Sequence, residues 1–110
     1  MNGQDILMER NECLETLKHS TKKLHENGQI WAEKDAAYDV ALAQKLLELE
    51  SKGEVKMAII KEIAKGDEKV AYAKFEKNAA EVNYKCSGEN INVQKKRLES
   101  LEATIKREVG

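Results

Sequence analysis

The sequence predicts an all-α protein: a long antiparallel helical hairpin with a short connecting helix, assembling as a coiled-coil or four-helix-bundle dimer. Three observations predict it. The 110 residues include no proline and only six glycines, poor material for the tight turns of a β-sandwich or barrel. Charged residues make up 35% of the chain, above the roughly 25% of an ordinary domain, as expected of helices with wide solvated faces. Apolar residues recur every seven positions over two long stretches, which is the spacing of a coiled-coil seam.

On the first stretch Leu17, Leu24, Trp31 and Tyr38 stand seven apart. Taken as a and d positions, one row reads Leu7, Leu14, Thr21, Gly28, Asp35, Leu42 and Leu49, and the other Arg10, Leu17, Leu24, Trp31, Tyr38 and Lys45. The phase passes through Asn27-Gly28 without a slip. That predicts one helix over about 5–51, with a break at Gly28 as the alternative. Lys52-Gly53 ends it, the glycine being free to take positive φ.

Val55, Ile59, Ile60 and Ile63 mark one face of a short helix over about 55–65, which Gly66 ends in the same way. Asp67 is an N-cap candidate, and Glu68 stands favourably against the dipole of the helix that follows. That second long helix covers about 67–108. Its rows are Val70, Lys77, Tyr84, Ile91, Leu98, Ile105 and Ala73, Ala80, Ser87, Gln94, Leu101, Glu108. The three elements make one helical domain over 1–110.

The connection is short, so the long helices must run antiparallel. Folding the chain about residue 59 sets residues level when their numbers total about 118, which brings Trp31 to Ser87 and Gly88, and Cys13 to Ile105. Two helices bury little, and Phe75, Val82, Cys86 and Val93 mark a further apolar face on the last helix. The sequence therefore predicts self-association, most simply as a two-fold dimer.

Charge and motif exclude several classes of function. Nineteen basic against twenty acidic residues leave a net charge of −1, so no whole-chain field draws the protein to nucleic acid or anionic lipid. The longest apolar run, Met57 to Ile60, is four residues, and no membrane partner is expected. The opening residues lack a secretory pattern, which predicts a cytoplasmic protein. Cys13 and Cys86 have no metal or disulfide spacing and read as free thiols.

His19 and His25 are six apart, and the carboxylate pairs lack a Glu-x-x-His, so neither metal nor cofactor is expected. With no phosphate loop and no nucleophile motif, the chain reads as a non-enzyme. Two surfaces remain as candidates. Lys18, Lys22 and Lys23 come to the level of Lys95, Lys96 and Arg97, a patch that could neutralise several phosphates of nucleic acid. Trp31 and Tyr38 read first as core. The sharper reading makes them, with Ile59 and Ile60 on the short helix, an anchor for a protein partner.

At Tyr38, Ala41-Leu42, Gly53, Ile63-Ala64-Lys65-Gly66-Asp67, Val70-Ala71 and Ala80-Glu81-x-x-Tyr84 the chain resembles small helical proteins of unassigned role encoded by bacteriophages of Gram-positive hosts. The resemblance covers roughly residues 30–108 and carries over no catalytic residues. It implies work in the host cytoplasm as an accessory factor for replication or recombination, or as a protein that binds and blocks a host defence protein or enzyme. The chain departs from the pattern in having no proline just after Gly53. The function expected is thus a non-enzymatic protein–protein interaction or scaffold role, with nucleic-acid accessory factor and host-factor inhibitor as alternatives.

Overall fold

A computed structural model describes residues 3–53 and 56–109, and of Met57 and Val109 the backbone only. Three helices follow one another: α1 (Gly3–Ser51), α2 (Met57–Gly66) and α3 (Glu68–Val109). The two long helices are antiparallel and joined by the short one, as the short connection requires. α1 runs unbroken through Gly28. The first two positions of the expected short helix, Val55 and Lys56, fare differently: Val55 lies outside the described residues, and Lys56 is the extended residue before α2.

The chain divides into two compact units. Unit 1 takes Met1–Asn27 with Tyr84–Gly110, and unit 2 takes Gly28–Asn83. In unit 2, α1 ends at a turn where Gly53 adopts φ +66°, a conformation that costs a glycine little, and its N–H donates to the Glu50 carbonyl at 3.1 Å. α2 turns Ile60 and Ala64, four residues apart, into the core and leaves Ile59 and Ile63 exposed. Val70 and Ala80 of α3 complete the buried set, with Trp31, Tyr38, Leu42 and Leu49 of α1 half-buried beside them.

Gly66 behaves differently from Gly53 and from the expectation. It takes no positive φ. The chain instead passes from α2 to α3 through Asp67 alone, in extended conformation (φ −63°, ψ 136°), with its N–H on the Ala64 carbonyl at 3.2 Å. An N-cap residue needs that conformation, so the cap of α3 also serves as the joint. Asp67 Oδ2 accepts the N–H groups of Lys69 (3.1 Å) and Val70 (3.3 Å), two of the donors the first turn leaves open.

The seam corrects one expected row. Leu7 and Leu14 are 46% and 37% exposed and Thr21 is exposed, whereas Ile6, Cys13 and Ser20, each one position earlier, are buried. Further along α1 the expected Gly28, Asp35, Leu42 and Leu49 do face inward, half-buried. An α-helix has 3.6 residues per turn, so an inward row drifts by about one residue over ten turns relative to a strict heptad. Cys13 and Leu49 are ten such turns apart.

The register is corrected as well. Facing pairs in unit 1 are Arg10–Glu102, Cys13–Gln94, Ser20–Asn90 and Asn27–Ser87; those in unit 2 are Lys34–Glu76, Asp35–Lys77 and Lys45–Asp67. Their numbers total 107 to 114, not 118. α3 starts level with Lys45, so α1 runs on six residues past that level to Ser51, and α2 occupies the overhang instead of sitting symmetrically across the end. Cys13 accordingly meets Gln94 rather than Ile105, and Ser87 meets Asn27 rather than Trp31. Both cysteines are free, Cys13 buried and Cys86 exposed.

Candidate functional site

The six candidate cations all belong to unit 1 and all are exposed. Lys18 Nζ stands 3.9 Å from Glu15; Lys22, Lys23, Lys95, Lys96 and Arg97 make no ion pair among the described residues. They do not form one surface. Successive helical residues point 100° apart, so Lys95, Lys96 and Arg97 spread over about 200° of α3, and Lys22 and Lys23 likewise diverge on α1. With the observed register, in which Gln94 faces Cys13, Lys95 to Arg97 come level with Glu12 and its neighbours, while Lys22 and Lys23 come level with Glu89 and Asn90.

Sequence reading missed the polar seam of unit 1. Cys13, Ser20 and Asn27 are seven apart on α1 and each meets a polar residue of α3. The Cys13 thiol donates to the Gln94 carbonyl at 3.5 Å, Asn90 Nδ2 donates to Ser20 Oγ at 3.3 Å, and Asn27 Nδ2 donates to Ser87 Oγ at 2.6 Å. Leu24 Cδ1 lies 3.9 Å from where a Cβ on Gly88 would sit, an ordinary contact distance, so the Leu24 side chain packs beside the bare backbone of Gly88. A surface cleft of about 280 Å³ beside this seam is lined by His19, Ser20, Lys23, Ser87 and Asn90. The heptad spacing of Cys13, Ser20 and Asn27 is the signal that could have found it.

In unit 2 the candidate anchor residues separate. Trp31 and Tyr38 are half-buried on the seam, and Lys77 Nζ lies 4.9 Å from the centre of the Tyr38 ring, a cation–π contact within the unit. Ile60 is 4% exposed and Ile59 is 50% exposed, so the adjacent isoleucines have opposite situations. Ile60 belongs to the core because it shares the inward face of α2 with Ala64.

Ion pairs border this core: Lys34 to Glu76 at 3.1 Å, Asp35 to Lys77 at 3.2 Å, and Lys45 to both Asp67 (3.4 Å) and Glu48 (3.5 Å). Partial burial alone would raise the Asp67 carboxyl, but the Val70 N–H, the Lys45 ammonium and the Lys69 N–H outweigh it and hold the group below its usual 3.8. Hydrogen bonds from Lys52 and the charge and hydrogen bond of Lys45 lower Glu48, and hydrogen bonds from Lys34 and Tyr72 lower Glu76. Burial would lower Lys45, yet Asp67 and Glu48 together raise it above 10.5. A cleft of about 530 Å³ runs past Lys45, Glu48 and Asp67; the charges along it are matched to one another and to the cap of α3.

The exposed apolar side chains are the remaining candidate. Among the described residues, unit 1 exposes Leu7, Met8, Leu14 and Val93, whereas unit 2 exposes Ile30, Val40, Leu47, Ile59, Ile63, Tyr72, Phe75 and Val82. A small unit with eight large apolar side chains in water presents surface suited to a protein partner. No helix among the described residues is long and apolar enough to cross a membrane. Searches of protein families, of curated proteins and of solved structures find no match to the chain.

Proposed function

We propose that this chain is a non-enzymatic helical protein that works by protein–protein contact and associates with further copies of itself as a scaffold. One observation carries the reading. Unit 2 leaves eight large apolar side chains in water, among them Leu47, Ile59, Phe75 and Val82 at 50% to 67% exposed. The scatter of the six cations over different helix faces favours protein contact over nucleic-acid contact. The resemblance to phage-encoded helical proteins supports a role in the cytoplasm of an infected host.

Sedimentation velocity at micromolar concentration tests the proposal. The expected result is a concentration-dependent species heavier than 12.4 kDa. A helical protein that stays monomeric throughout removes the self-association on which the reading rests.

A further inference from the structure

We infer that the cleft beside the seam of unit 1 binds a phosphate group, taken free or as the monoester of a small molecule. The cleft, about 280 Å³, lies between α1 and α3 and is lined by His19, Ser20, Lys23, Ser87 and Asn90. Each of these side chains can donate a hydrogen bond, and none is a carboxylate or an apolar group. Such a lining selects a negatively charged acceptor. A phosphate monoester offers three oxygen acceptors and a charge of about −1.5 to −2 near neutral pH, so it can use donors from both helices at once.

Lys23 supplies the charge. It is exposed and makes no ion pair among the described residues. His19 precedes it by four positions, on the same face of α1, and an imidazole ring has an N–H to donate in either protonation state. The carboxylates that flank this face stand outside the cleft: Glu15, four positions before His19, pairs with Lys18 at 3.9 Å, and Glu26 follows Lys23 by three positions.

The seam supplies fixed donors. Ser20 is only 9% exposed, and its Oγ accepts from Asn90 Nδ2 at 3.3 Å. Its own hydroxyl proton reaches no protein acceptor among the described residues, which leaves it to an oxygen in the cleft. Asn90, itself exposed, carries a second N–H besides the one given to Ser20. Ser87 Oγ is held in the same manner by Asn27 Nδ2 at 2.6 Å. Groups already held by their neighbours lose little freedom when a ligand arrives.

The cleft of unit 2 makes the contrast. Lys45 there is engaged by Asp67 at 3.4 Å and Glu48 at 3.5 Å, so its charge is matched inside the protein. In unit 1 no carboxylate lines the cleft, and the counter-charge to Lys23 is left for a ligand to supply.

The inference stands apart from the self-association proposed above. Titration of isotope-labelled full-length protein with inorganic phosphate at constant ionic strength, followed through amide chemical shifts, tests it. Saturable shifts are expected around residues 19–23 and 87–90, with a dissociation constant of about 1 mM. A parallel titration with glycerol phosphate tells whether free phosphate or a monoester is the tighter ligand. Lys23→Gln is expected to weaken binding about fivefold or more, and Ser20→Ala about threefold or more. Lys22→Gln removes the same charge 100° away around α1 and is expected to change affinity less than about twofold.

Shifts that never saturate with either ligand overturn the site. Equal weakening by Lys22→Gln and Lys23→Gln does so too, because that is what general attraction to a basic helix gives, and so does full affinity in Lys23→Gln or in Ser20→Ala. Far-UV circular dichroism checks that each variant is helical. If Ser20→Ala loses helix, Asn90→Asp takes its place: it sets a carboxylate in the cleft and is expected to abolish saturable binding, and retained binding overturns the site.

Discussion

The two units hold their helices together by different means. In unit 1 the inward positions Cys13, Ser20 and Asn27 meet Gln94, Asn90 and Ser87 through directional contacts. In unit 2 the buried positions are apolar, Ile60, Ala64, Val70 and Ala80, and the polar contacts between helices are the ion pairs Lys34–Glu76, Asp35–Lys77 and Lys45–Asp67 at half-buried positions. A polar side chain in a helical seam gives up apolar burial but tolerates only one facing partner, which makes it a device for setting register. Unit 1 thus adds contacts that specify which residues face each other to the burial of Ile6 and Ile91, and unit 2 relies on its apolar core and the ion pairs along it.

The comparison breaks most readily at Ile60, which is 4% exposed at the centre of the apolar unit. Ile60→Ala is expected to cost about 2–4 kcal/mol in urea unfolding, the range for truncating a buried isoleucine. Hydrogen exchange resolved by residue should place the loss of protection in unit 2 first. A cost below about 1 kcal/mol would mean that the apolar unit does not carry the stability assigned to it.

The polar layers come next. Asn90→Ala removes the donor to Ser20 Oγ beside the surface cleft and is expected to cost about 1 kcal/mol. Replacing both partners, Ser20→Ala with Asn90→Leu, removes the unmet group and should return stability close to that of the wild type. The same double variant should loosen the register, read as broadened distances between spin labels on α1 and α3. A cycle with no coupling between the two positions, or an unchanged distance distribution, would deny the layer its role.

This layer also marks where sequence reading stops. The row from Arg10 to Lys45 and the Val70 to Ile105 row of α3 were legible because leucine, isoleucine, valine and aromatic residues announce them, while the second row of α3 follows from its spacing to the first. Leu7 and Leu14 announced a false row, since serine, asparagine and cysteine at the true positions carry no hydropathy signal. The register was illegible for another reason: it depends on how α2 lies against the end of α1, and the periodicity of the long helices contains nothing about that. Of the candidate residues, Trp31 and Tyr38 fall on the seam as their heptad positions imply. Ile60 parts from Ile59 because the inward face of α2 is only as wide as Ile60 and Ala64. The outer apolar face of α3 was partly visible in Phe75 and Val82.

At the joint between α2 and α3, Asp67 joins a backbone cap to an ion pair. Asp67→Ala should lower Tm by roughly 4–8 °C, the effect of an ordinary helix cap in a domain of this size. Acid should act in the same place. Asp67, Glu48 and Glu76 are stronger acids folded than their usual 3.8 and 4.5, so the native state binds fewer protons near pH 4 and stability rises with pH there. Their contribution is whole above about pH 4.5 and disappears as pH falls through the folded values. Amide protection around Asp67 that stays constant from pH 6 to pH 3 would contradict this.

The smallest effect sharpens the comparison from the side of unit 1, whose helices are also linked by Arg10 Nε and Glu102 Oε1 at 3.4 Å. Both side chains are well exposed, at 38% and 48%, so water and salt screen the pair and holding two long side chains in place offsets much of the attraction. Arg10→Gln is expected to change stability by about 0.5 kcal/mol or less, and by still less in 0.5 M salt. If the change instead reached the size of the Asn90→Ala effect, unit 1 would owe its register to surface charge, and the contrast with unit 2 would reduce to where each places its ion pairs. A negligible change leaves the seam contacts of Cys13, Ser20 and Asn27 as the groups that set which turn of α1 meets which turn of α3.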